Sequence, residues 1–153
     1  MKILMVCLGN ICRSPIADGL LRKKVKEQGL GIEVDSAGTI ALHQGQAPDY
    51  RMIETARKNS TDISMLRARQ FNISDFDYFD LIFAMDFSNK KNILALARND
   101  EDRSKVHMLL GELTDQAEAS VPDPYYGTQN DFDHVYDLVD QATDILIKKL
   151  ITR

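Results

Sequence analysis

The stretch KILMVCLGNICRSPIADGLLRKKV, residues 2–25, decides the fold. Its first part, Ile3, Leu4, Met5 and Val6, is a short apolar run with no polar alternation, closed by Gly9 and Asn10. That is the pattern of a strand buried on both faces of a parallel sheet. Its last part is helical. Pro15 suits a first turn, and Ile16, Leu20, Leu21 and Val25 recur at three- and four-residue steps, with Arg22, Lys23, Lys24 and Lys26 outside, until Gly29 and Gly31.

The same alternation returns downstream. Residues 32–36 read as a second strand, residues 37–48 as a Gly- and Pro-punctuated loop, and residues 49–58 as a helix. DLIFAM (80–85) is another buried strand, followed by a helical stretch through Asn89, Ile93, Leu94 and Leu96 and a fourth strand over 106–110. An amphipathic helix over 131–151 closes the chain. Strands alternating with helices predict an α/β fold: one doubly wound domain over residues 1–153, with a four-stranded parallel sheet and helices on both faces. Ligands of such folds bind beyond the carboxyl ends of the strands, where residues 7–13 lie.

Composition narrows the function classes. With 153 residues, 44% hydrophobic and 27% charged, the chain has ample material for a core. Nineteen basic against 23 acidic residues leave a net charge of -4, which argues against nucleic acid as a partner. No run approaches the roughly 20 apolar residues of a membrane span, and the N-terminal run is short for a secretory signal. The two cysteines, Cys7 and Cys12, can neither staple distant elements nor form a four-ligand zinc site, and they suit a reducing cytoplasm. His43, His107 and His134 have no metal-binding spacing and read as surface or core, so neither metal nor cofactor is expected. Arg67, Arg69, Lys90 and Lys91 read as solvated faces.

The loop itself carries chemistry. It leads into a helix N-terminus, whose free N–H groups and dipole favour an anion. A loop of this length can curl so that the amides of Leu8, Gly9, Asn10, Ile11, Cys12, Arg13 and Ser14 ring a phosphate, with Gly9 and Asn10 tolerating the left-handed backbone required. Arg13 adds a planar fork matched to two phosphate oxygens. Cys7 then lies at the centre of a positive bowl that favours its thiolate, an activated nucleophile beneath phosphorus. The missing G-K-[ST] excludes a Walker-type nucleotide loop.

VCLGNICRSPIADG, together with DSAGT (35–39), MD-x-SN (85–89) and DPYYG (123–127), resembles the low-molecular-weight protein tyrosine phosphatases. The resemblance spans essentially the whole chain. It implies hydrolysis of phosphotyrosine in proteins through a phosphocysteine formed on Cys7, with Arg13 and the loop amides holding the phosphoryl oxygens. Ser14 would bond the thiolate, and Asn10, braced by Ser36, would support the loop. Cys12 matches the position that in this family can capture Cys7 as a disulfide. Asp123 matches the general acid and base. Between Lys105 and Lys148 there is no Lys or Arg, while Glu112, Asp115, Glu118, Asp131, Asp133, Asp137, Asp140 and Asp144 are acidic, a neighbourhood that favours a protonated carboxyl.

Tyr125 and Tyr126 would form one wall of a slot for a phenyl ring. Leu42 stands near a position that is aromatic in many relatives, and Ile11 is aliphatic where arginine-dephosphorylating relatives carry threonine. The implied partners are phosphotyrosine-bearing proteins, a bacterial tyrosine kinase of polysaccharide export among them. Two other readings compete. An arsenate reductase of the same fold needs relay cysteines after Cys12, and none occurs. A non-catalytic phosphotyrosine-binding module would lack nucleophile or acid, and both are present.

Overall fold

The computed structural model describes residues 1–112 and 119–152. Strand β1 (Lys2–Cys7) lies between β2 (Glu33–Gly38) and β3 (Leu81–Ala84), and β4 (Val106–Met108) flanks β3. Every pair is parallel, in the order β2-β1-β3-β4, with Leu4 of β1 opposite Asp35 and Ile82. The chain leaves β1 toward β2 on one side and later crosses to β3 on the other. The carboxyl end of β1 is therefore the switch point at which such sheets open a crevice.

The unbroken apolar run of β1 follows from two covered faces. Ile3, Met5 and Cys7 enter one core with residues of helices α1 (Arg13–Glu27), α2 (Tyr50–Lys58) and α6 (Gln129–Ile151). Leu4 and Val6 enter a second core with Phe76 of α3 (Ser74–Tyr78) and Ile93 of α4 (Phe87–Leu94). Helices thus cover both faces, as the alternation predicts.

Details differ from the sequence pattern. Lys24, assigned to the outer face of α1, is nearly buried and clamps that helix to α6: its Nζ donates to Asp140 Oδ1 and Thr143 Oγ1 at 2.7 Å and lies 2.9 Å from Asp144 Oδ1. The fourth strand stops at Met108, because residues Leu109–Gly111 tighten into a 3-10 turn. Helix α4 starts at Phe87, since Asp86 and Asn89 form a capping box before the apolar spacing begins. The five-residue helices α3 and α5 (Asp100–Ser104) are too short to show a period in the sequence. Among the described residues, no helix is long and apolar enough to cross a membrane.

Candidate active site

Cys7 is the last residue of β1 and Arg13 the first of α1, so the intervening loop must reverse within five residues. Asn10 takes the left-handed conformation this needs, with φ 58°. Gly9 does not, contrary to the expectation from sequence. It leaves room for the His43 ring: a Cβ there would lie 2.9 Å from Cδ2 of His43, and the ring would have to shift. Gly38 beneath the loop is constrained more tightly, because a Cβ would meet the Leu8 carbonyl oxygen at 2.7 Å.

The loop's carbonyls are drawn outward by neighbouring amides. Thr39 N donates to Cys7 O (2.9 Å), Ile40 N to Leu8 O (3.1 Å) and Asp49 N to Ile11 O (2.7 Å). Helix α1 has Cys12 at its N-cap with no side-chain capping bond and no acidic residue in its first turn, so its positive end is open to an anion.

Asn10 is 2% exposed and fully used. Its Nδ2 donates to Ser14 Oγ (2.8 Å) and Ser36 Oγ (3.0 Å), and its Oδ1 accepts from the Arg69 amide (3.1 Å). Ser14 Oγ in turn lies 3.0 Å from Cys7 Sγ. Asn10, Ser14 and Ser36, the residues expected to support the loop, thus lie in one hydrogen-bond network that ends on the sulfur. Arg69 corrects its assignment to a solvated face: its guanidinium is braced between Asp35 and Asp75.

Arg13 is 3% exposed, yet it has three oxygen partners. Nη1 donates to Asp86 Oδ2 (2.6 Å) and to the Val121 carbonyl (3.1 Å), and Nη2 lies 3.7 Å from Asp123 Oδ2. Burial opposes its charge, but Cys7, Asp86 and Asp123 outweigh that and hold the guanidinium protonated more firmly than usual. Asp86 carried no role in the sequence reading, although it lies inside the MD-x-SN motif; the signal was the need of a buried arginine for a carboxylate. Burial, helped by Asp49, Cys7 and Asp123, pushes the Cys12 thiol far above its ordinary range, so Cys12 is held neutral. Both cysteines are free and buried.

A cleft of about 180 Å³ opens over this floor. Cys7, Leu8, Gly9, Ile11, Cys12 and Arg13 form its base, Asp123, Tyr125 and Tyr126 one side, and Ile40, Leu42 and His43 the other. Tyr125 and Tyr126 meet edge to face at 4.9 Å, and Tyr126 stands 96% exposed at the rim. Leu42 is 74% exposed, so the second side owes much of its solid wall to His43, which sequence placed on the surface or in the core. Its Nδ1 is 2.9 Å from Gln46 Oε1, which fixes the ring, and the ring faces Tyr125 at 6.5 Å. Four of the acidic residues expected around Asp123 are engaged elsewhere: Asp131 caps α6, Glu112 pairs with Lys149, and Asp140 and Asp144 hold Lys24. Asp115 and Glu118 lie outside the described residues.

A family model for low molecular weight phosphotyrosine protein phosphatase matches residues 2–153. The chain belongs to this family. The phosphatase is 43% identical over 150 residues to the low molecular weight phosphotyrosine protein phosphatase of Schizosaccharomyces pombe, covering 95% of this chain and 94% of the relative. A crystal structure of a protein tyrosine phosphatase from Entamoeba histolytica superposes with a TM-score of 0.92 at 37% identity, covering 99% of this chain and 97% of that one. Vibrio vulnificus Wzb, solved in complex with benzylphosphonate, superposes with a TM-score of 0.86 at 30% identity over 97% of both chains. The protein is therefore a protein-tyrosine-phosphatase, which displaces the arsenate reductase and silent binding-module readings.

Proposed function

We propose that this phosphatase hydrolyses phosphotyrosine in two steps at Cys7. The convergence of the Cys7 sulfur, the Arg13 guanidinium and the Asp123 carboxylate on one aromatic-sided cleft carries the reading. In the first step the Cys7 thiolate attacks phosphorus, the bond from phosphorus to the tyrosyl oxygen breaks, and Asp123 donates a proton to the departing oxygen. Arg13 and the loop amides from Leu8 to Ser14 bind the equatorial oxygens, matching the charge that spreads there in the transition state. In the second step Asp123, now a carboxylate, takes a proton from water, which attacks phosphorus and releases inorganic phosphate and the Cys7 thiolate.

The Ser14 hydroxyl, 3.0 Å from Sγ, supports the thiolate as nucleophile and leaving group. Ile11, Leu42, His43, Tyr125 and Tyr126 grip the phenyl ring. Wzb, a structural relative, accepts benzylphosphonate, a phosphonate on a similar ring. Phosphotyrosine-bearing proteins are the substrates, a bacterial tyrosine kinase among them. Peroxide would convert Cys7 to a sulfenic acid, which Cys12 resolves as a disulfide with loss of water. Acid quenching during turnover of a phosphotyrosine peptide, followed by mass spectrometry, is expected to find phosphate on Cys7, while Cys7→Ser still binds vanadate without turnover. Multiple turnover by pure Cys7→Ser, or phosphate on another residue, would overturn the scheme.

A further inference from the structure

Asp49 and Arg51 have no part in the scheme above, yet they join its two halves. The Asp49 amide donates to the Ile11 carbonyl of the phosphate loop at 2.7 Å. The Asp49 carboxylate caps α2 through the Arg51 amide (2.9 Å) and grips the Arg51 guanidinium twice, Nε to Oδ1 at 3.1 Å and Nη2 to Oδ2 at 2.9 Å. That same Nη2 donates to the Tyr125 carbonyl at 2.9 Å. The guanidinium also lies over the Phe132 ring at 4.5 Å and the Tyr125 ring at 5.7 Å. Finally, the Tyr125 amide donates to Asp123 Oδ1 at 3.1 Å.

These contacts make one path from Ile11 through Asp49, Arg51 and Tyr125 to Asp123. Residues 119–128 belong to no helix or strand, so no ladder fixes the segment that carries the acid. Val121 N to Met85 O and Arg13 to Val121 O tie it on the N-terminal side of Asp123, and Arg13 Nη2 lies 3.7 Å from Asp123 Oδ2 itself. Arg51 supplies a side-chain tie on the C-terminal side, through the Tyr125 carbonyl. Only a planar, multiply donating cation can hold a carboxylate and a carbonyl together while stacking on rings; a lysine presents a point charge.

We infer that Arg51 is a positioning residue for the proton donor: by pinning the Tyr125 carbonyl to the phosphate-loop side of the cleft, it fixes Asp123 Oδ1 and leaves Oδ2 toward the leaving group. The inference rests on the reading of Asp123 as general acid. It predicts a selective defect. In the first step a displaced acid harms esters whose leaving oxygen is basic and spares those whose leaving group departs without a proton, while the second step is common to all esters; a misplacement of about 1 Å can remove as much as 10²-fold in rate.

The test measures kcat/KM, which reports the first step alone, for phenyl phosphate and 2,4-dinitrophenyl phosphate in wild type, Arg51→Gln, Asp49→Asn and Asp123→Asn, with the inhibition constant for inorganic phosphate as a readout of the loop. Arg51→Gln is expected to lose about tenfold on phenyl phosphate and under about twofold on the dinitrophenyl ester, with phosphate inhibition unchanged. Asp49→Asn, which keeps the cap but weakens the grip on the guanidinium, should show the same pattern more weakly and serves if Arg51→Gln folds poorly. If Asp123→Asn is steeply leaving-group dependent but Arg51→Gln and Asp49→Asn lose equally on both esters, or lose nothing, the positioning role is overturned and the acid assignment stands. If Asp123→Asn itself loses equally on both, the acid assignment falls, and the positioning role with it.

Discussion

Asp18 shows how much a single side chain near the phosphate loop can bias the molecule. It is fully buried on α1, with Oδ1 accepting from Arg22 Nε and Nη2 at 3.1 and 2.8 Å, while Oδ2 has no hydrogen-bond partner. Burial pushes its carboxyl from 3.8 up to about 6, against the pull of Arg22 and with Asp35 adding to the rise. A carboxyl whose pKa is higher folded than unfolded stays protonated in the native state while the unfolded chain ionises. Stability therefore falls as pH rises through that window, by about 3 kcal/mol in all. Asp18→Asn cannot ionise. Its unfolding free energy relative to wild type should shift in the variant's favour by about 2 kcal/mol between pH 4 and pH 7. Carboxylates held low, such as Asp49 and Asp102, act in the opposite sense but cancel in this difference. Urea titrations of both proteins across that range check it, and a constant difference would show that burial does not raise the Asp18 carboxyl.

At the scale of elements, Asp86 serves two at once. Oδ1 accepts from the Asn89 amide at 2.7 Å to start α4, and Oδ2 accepts from Arg13 at 2.6 Å at the start of α1. Asn caps helices about as well as Asp, so Asp86→Asn keeps α4 but removes the charge facing a buried guanidinium. A buried guanidinium that loses its nearest carboxylate, with Asp123 Oδ2 only at 3.7 Å, is destabilised, and phosphate would supply another anion. The variant is expected to melt below wild type in phosphate-free buffer and to gain more Tm from added phosphate than wild type gains. Equal gains would mean that Asp86 acts as a cap alone. Asp86 also marks where the sequence stops being legible. Cys7, Arg13, Asn10 and Ser36 could be read because strand, loop and helix follow one another locally and the motif is continuous. Asp86, Arg69, Arg51 and His43 reach the site from loops and helix ends remote in sequence, and nothing in their local pattern separates them from surface charge. The same limit applied to Lys24, whose outward assignment followed the period of α1 correctly but could not foresee α6 lying across it.

For the whole molecule, the question is whether the loop's geometry depends on the core as a unit. Leu146 of α6, 1% exposed, lies in the core that joins α1, α2 and α6 to one face of the sheet. Truncating a buried leucine to alanine costs about 2–5 kcal/mol, according to how far the site collapses. The bonds that shape the phosphate loop come instead from Thr39, Ile40, Asp49 and Arg69, all in segments directly around it. Native structures open in separate cooperative units, so global stability and local geometry can part company. Leu146→Ala should therefore unfold at a markedly lower urea concentration while keeping the wild-type kcat, within about twofold, well below its melting temperature. Paired measurements of urea midpoint and kcat decide it. A kcat that falls in step with stability would mean that the far helix, through α1, sets the position of Arg13 and that the catalytic geometry belongs to the entire core.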